Sequence, residues 1–102
     1  MIGGSEESYE KSIEILGLYG KKIKYMGPSG SGQLTKIINH ICIAGLVQGL
    51  SESIYFMKQT DLNPDDVLEV ISSGAAQSWQ MDNRFKSMVA GEFDFGFAVD
   101  LM

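Results

Sequence analysis

Residues 34–58 constrain this chain more than any other stretch. Wound as a helix, they are apolar on almost every side from Ile37 to Met57. A helix that is apolar all round is expected in a core or between subunits. Asn39, His40, Gln48, Ser51, Glu52, Ser53 and glycines interrupt the run, which argues against a membrane span. Gly45 and Gly49 fall on one stripe of this helix, where a second helix is expected to approach closely.

At 102 residues the chain has room for one small domain, and 44% hydrophobic with 21% charged residues is ordinary for a soluble globular protein. A net charge of −5 argues against nucleic acid as a partner, because phosphates must be neutralised. Cys42 is the only cysteine, so no internal disulfide forms, and a reducing, cytoplasmic location is the expectation. Cys42 itself reads as a small buried hydrophobe. One Cys and one His cannot build a zinc site of standard composition, so no metal is expected. The opening Met-Ile-Gly-Gly and the closing GFAVDLM lead to the expectation that this is part of a longer chain.

Along the chain, Met1-Ile2 suits a strand end. Ser5 caps a helix whose first turn holds Glu6 and Glu7, with Tyr9, Ile13, Leu16 and Tyr19 on one face. KKIKYMG (21–27) reads as a short strand. Ser29 or Ser31 caps the long helix. Asn63, Pro64 and two aspartates start another helix that Gly74 stops, and Ser78 and Gly91 bracket a last one bearing Met81, Phe85, Met88 and Val89. Trp79 is expected to pack, and residues 97–102 begin a further helix.

The chemistry is concentrated in GPSGSGQLTKIINH (27–40). It is not a P-loop: Gly27 and Gly32 have the right separation, but Gln33 and Leu34 follow where Lys and Ser/Thr are needed. It is not a dinucleotide fingerprint either, since Thr35 stands where the third glycine belongs. On a helix, Gln33, Lys36, Asn39 and His40 share a face. Apolar surroundings and the positive end of the helix dipole both disfavour a charged ammonium there, which suits Lys36 to general acid/base work. Asn39 can hold a substrate oxygen beside it. The plain alternative is a lysine pointing to solvent at a helix start.

The same stretch resembles the G-x-x-G-x-G-x-x-x-K-x-x-N signature of the β-hydroxyacid dehydrogenases, the family of 3-hydroxyisobutyrate dehydrogenase and tartronate semialdehyde reductase, related to 6-phosphogluconate dehydrogenase. IGG near the start, GLSESIYF, SSGAAQSW and GEFDFGFAVDLM are similar to that family in order and spacing. The resemblance implies a mainly α chain. Residues 1–27 correspond to the last strand-helix-strand of a Rossmann domain, and residues 28–102 to the first part of an all-helical, 6-phosphogluconate dehydrogenase C-terminal-like substrate and dimerisation domain. It implies NAD or NADP as cofactor and a small β-hydroxy acid as substrate. Lys36 is then the catalytic acid/base, Gly30, Gly32 and Asn39 are substrate-binding, and Phe97 lies on the nicotinamide side. His40 stands where the family often has a second asparagine. A homo-oligomer through the long apolar helix is expected. The alternative is a non-catalytic dimerisation or interaction module of the same fold.

Overall fold

The computed structural model describes residues 1–94. They are mostly helical, with β1 (Ile2–Gly3), α1 (Glu6–Gly17), β2 (Tyr25–Gly27), α2 (Ser31–Met57), α3 (Pro64–Ser72) and α4 (Trp79–Ala90) in chain order. The chain divides into two compact units, Met1–Cys42 and Ile43–Met102, with the division inside α2.

In the first unit β1 and β2 pair in parallel, Ile2 opposite Tyr25 and Gly3 opposite Gly27, with an irregularity between the two pairs. Parallel neighbours need a crossover, and α1 supplies it. The Ser5 hydroxyl caps α1 by accepting from the Ser8 amide at 3.2 Å, and Glu6 and Glu7 occupy its first turn. Tyr9, Ile13 and Leu16 are half-buried as expected, whereas Tyr19 is 85% exposed. Tyr19 lies past the end of α1, so the helical spacing no longer holds it on that face. The expected strand over 21–27 shrinks to Tyr25–Gly27, because β1 offers only two residues to pair with. The Tyr9 and Tyr25 rings meet at 5.3 Å, and the Tyr25 hydroxyl donates to the Gly4 carbonyl at 2.9 Å, fixing α1 and the β1 exit against β2.

The start of α2 differs from expectation. Gly30, at φ +93°, precedes the first helical residue, and its carbonyl accepts from the Leu34 amide at 2.9 Å. The left-handed backbone there favours a glycine, so neither Ser29 nor Ser31 takes the capping position.

In the second unit Asn63 Oδ1 accepts from the Asp65 and Asp66 amides, with Pro64 in the first turn of α3. Ser78 caps α4 through the Met81 amide, and Gly91 ends it at φ +77°. A compact cluster of Leu50, Ile54, Met57, Met81 and Phe85 forms the core, with Val67, Leu68, Ile71, Met88 and Val89 packed around it. Each buried side chain of this kind stabilises by roughly 1.5–3 kcal/mol.

Among the described residues the complete burial expected of α2 is not found. Leu50, Ile54 and Met57 are buried, because α3 and α4 pack against that face of its C-terminal half, but Ile37, Ile38 and Ile41 in the first half, and Phe56 on the other face of the second, are more than half exposed. Nothing lies within 4 Å of where a Cβ would sit on Gly45 or Gly49, so among the described residues no helix approaches that stripe closely. Cys42 is exposed rather than buried, and Trp79 is 62% exposed with the Arg84 guanidinium 5.8 Å from its ring centre. Among the described residues α2 is the one helix long and apolar enough to cross a membrane by length and composition.

Candidate functional site

Two glycines join the strand pair to the start of α2. A Cβ on Gly3 would stand 2.8 Å from the Pro28 carbonyl oxygen and 2.9 Å from the Gly32 nitrogen. A Cβ on Gly32 would stand 3.1 Å from the Gly3 nitrogen and 3.1 Å from the Met1 carbonyl oxygen. These are backbone atoms that cannot swing aside. The carboxyl end of β1 and the first turn of α2 therefore touch main chain to main chain, and only glycine permits it.

That junction forms the floor of an open cleft of about 520 Å³, lined by Met1, Ile2, Gly3, Leu16, Gly32, Gln33 and Lys36. Met1, Ile2 and Leu16 supply apolar wall, and Gln33 and Lys36 supply the polar side chains. The placement follows from local structure. β1 and β2 are parallel, so both point their carboxyl ends toward the segment that opens α2, and ligands of α/β units bind outside those ends. Gln33 and Lys36 are three residues apart on α2 and so sit on one face.

Of the residues singled out from sequence, Lys36 and Gly32 are brought together in this cleft, while Gly30, Asn39 and His40 are not among its lining. Gly30 adjoins the cleft through the turn into α2 and, at φ +93°, has open space where a Cβ would stand. The space beside Gly32 is filled by β1, which gives that glycine a packing role. Phe97 and the further helix expected over 97–102 lie outside the described residues. Lys36 is exposed and on the second turn of α2, so the apolar enclosure expected for it is not supplied by the described residues, and the helix dipole has largely decayed at that depth. Among the described residues Lys36 and Gln33 have no ion-pair or hydrogen-bond partner of their side chains.

Gly3 and Leu16 were not assigned to the site by spacing. The signal was present in the parallel topology: a strand that ends in Gly-Gly beside a helix that begins Gly-Ser-Gly leaves room for backbone contact there. Two further hollows, in the second unit, have different chemistry. One of about 350 Å³ is lined by Phe85, Val89 and Pro64 beneath the exposed Asp65–Lys86 ion pair, and one of about 380 Å³ runs along Gly45, Leu46, Gly49 and Leu50.

Comparison with known proteins bears on the family of the chain. Residues 30–102 match the family described as NAD-binding of NADP-dependent 3-hydroxyisobutyrate dehydrogenase. An uncharacterised oxidoreductase of Shewanella frigidimarina is 50% identical over all 102 residues, which make up 35% of its own length. An uncharacterised oxidoreductase of Bacillus subtilis is 41% identical over 97% of the chain and 34% of its own length. The 2-hydroxy-3-oxopropionate reductase of Escherichia coli is 30% identical over 99% of the chain and 35% of its own length. The chain thus spans about a third of the length of the curated relatives it matches. With a family match over most of its length and the glycine-lysine segment inside that match, the chain belongs to the 3-hydroxyisobutyrate dehydrogenase family of oxidoreductases.

Proposed function

We propose that this chain is the substrate-side part of an NAD(P)-dependent dehydrogenase acting on a small β-hydroxy acid, with Lys36 as its general acid/base. The observation that carries the reading is the cleft itself: a lysine without a partner among the described residues, beside an amide, over a floor of glycine backbone. Its size suits a small acid. The described residues hold no dinucleotide fingerprint, so what they offer the cofactor is a place for the reacting end, not for its pyrophosphate.

During oxidation Lys36 Nζ, as the free amine, takes the proton of the substrate hydroxyl. The electrons of that O–H bond form the carbonyl, and the carbon-bound hydrogen leaves with its pair as hydride. NAD(P), when bound, supplies the hydride-accepting chemistry. In reduction Lys36 returns the proton to the new alkoxide. Asn39, one turn further along the same helix, is the proposed partner that orients the substrate oxygen, with the backbone at Gly30 and Gly32 close to the substrate. Holding the hydroxyl at Nζ in this way is where placement contributes most to rate.

The test is turnover by the full-length parent enzyme, followed through nicotinamide absorbance with a panel of small β-hydroxy acids. Lys36→Ala is expected to lower kcat by about 10²–10⁴-fold with the fold retained, the range of a lost general acid/base. Near-normal turnover in that variant refutes the assignment. The 102-residue chain alone is expected to be inactive.

A further inference from the structure

We infer that Tyr25 is a positioning residue for the Lys36 cleft: its hydroxyl holds the exit of β1 where backbone contact seats the start of α2. The inference rests on the reading of Lys36 given above. Tyr25 is half-buried and is not in the lining of the cleft, so it acts from behind it. It stands on β2 opposite Ile2, and its ring reaches along the strand pair to Gly4, where the hydroxyl donates to the carbonyl at 2.9 Å. The Gly4 amide donates to the Gly27 carbonyl at 3.0 Å. Gly4 is therefore held on both sides of its Cα, by β2 backbone through its N–H and by a β2 side chain through its C=O.

The side-chain bond matters because the strand pairing gives out at this point. β1 is two residues long, and its register is irregular: the partners step from Tyr25 to Gly27 on β2 while β1 advances from Ile2 to Gly3. So short a parallel ladder does little to fix the direction in which β1 leaves. The Tyr25 hydroxyl adds a fixed point one residue beyond it. The phenol is itself aimed by Tyr9 of α1, whose ring lies 5.3 Å away at a tilt of 31°. Gly4 follows Gly3, and the Cβ side of Gly3 lies 2.8 Å from the Pro28 oxygen and 2.9 Å from the Gly32 nitrogen. No side chain stands between them to absorb a movement of the strand exit. Gly32 and Lys36 are four residues apart on α2, about one turn, so a shift at Gly32 carries to Lys36. The path from the Tyr25 hydroxyl to the acid/base thus runs through main chain and one helical turn.

The experiment uses the full-length parent enzyme and Tyr25→Phe, which removes one oxygen and keeps the ring against Tyr9. Tyr9→Phe is the matched control, since among the described residues the Tyr9 hydroxyl has no hydrogen-bond partner. Both variants are expected to fold, with Tyr25→Phe melting a few degrees lower, the scale of one lost hydrogen bond. Well below either melt, Tyr25→Phe lowers kcat by about 3–10-fold and leaves KM within about twofold, because the acid/base is misplaced while binding is kept. Tyr9→Phe leaves both unaltered. The solvent deuterium isotope effect on kcat rises in Tyr25→Phe, because proton transfer has slowed relative to the other steps. Two double-mutant cycles locate the effect. Tyr25→Phe costs no further kcat in a Lys36→Ala background, and costs less than its wild-type factor in a Gly3→Ala background, where the junction is already displaced. A lower melt with kcat and isotope effect unmoved makes the bond structural and overturns the inference, as does the same fall in kcat with Lys36 absent. Either result leaves the Lys36 reading standing. Near-wild-type turnover by Lys36→Ala removes that reading and this one with it.

Discussion

Replacing Gly3 by alanine tests whether the backbone junction between β1 and α2 holds the site. The new methyl carbon would stand 2.8 Å from the Pro28 oxygen, 2.9 Å from the Gly32 nitrogen and 3.0 Å from the Ser31 nitrogen. Comfortable carbon contacts begin near 3.5 Å, so β1 and the α2 start must separate by roughly 0.5–1 Å. All three atoms are main chain, so no rotamer change relieves the clash. Overpacking of this kind costs about 1–3 kcal/mol. Gln33 and Lys36 move with the helix start, and a displacement near 1 Å at a reacting group costs about 10²-fold in rate. Gly3→Ala in the full-length enzyme is therefore expected to lose about 1–3 kcal/mol in denaturant unfolding and about 10–100-fold in kcat. Gly32→Ala, whose nearest contacts are 3.1 Å, falls between it and wild type on both measures. Gly17→Ala is the control: nothing lies within 4 Å of its Cβ position at the end of α1, so it gains up to about 1 kcal/mol in helix propensity with turnover unaltered. A Gly3→Ala enzyme as stable and as fast as wild type refutes the reasoning.

Two further outcomes follow from burial. Phe85 is 2% exposed at the centre of the second unit's cluster, and Phe85→Ala is expected to cost about 3–5 kcal/mol by thermal or denaturant unfolding, whereas Trp79→Ala, at a site 62% exposed, costs under about 1 kcal/mol; similar values for the two would contradict the assigned core. The exposed Leu34, Ile37, Ile38 and Ile41 on the first half of α2 make an apolar surface of the kind that pairs, so the 102-residue chain is expected to self-associate in sedimentation, and Ile41→Glu to shift it toward monomer. A chain that sediments as monomer at high concentration counts against a homo-oligomer built on this helix.

The helix ends were legible from sequence because their causes lie within a few residues. Ser5, Asn63 and Ser78 accept from amides two or three residues ahead, and Gly91 supplies the left-handed turn that any L-residue resists. The Met81, Phe85, Met88 and Val89 stripe was legible for the same reason, since its spacing is that of the helix it sits on. What escaped depends on partners distant in the chain. The length of β2 is set by the two residues β1 can pair with, and the exposure of Cys42 and of the first half of α2 is set by which elements reach them. The site divides in the same way. Gln33 and Lys36 share a helix face by spacing alone, but Gly3 and Leu16 join them only because a parallel pair with a helical crossover brings the β1 exit to the α2 start. The glycines make this sharper. From sequence, Gly30 and Gly32 look alike as sites of close approach, yet one supplies a positive φ with open space beside it and the other is closed by the backbone of β1. Open space adjoins the Cβ side of the first, and β1 backbone closes that of the second. Gly32→Ala therefore acts on turnover by moving β1, while a side chain at Gly30 acts by strain in the turn that aims α2, and the two effects are separable by whether stability and rate fall together.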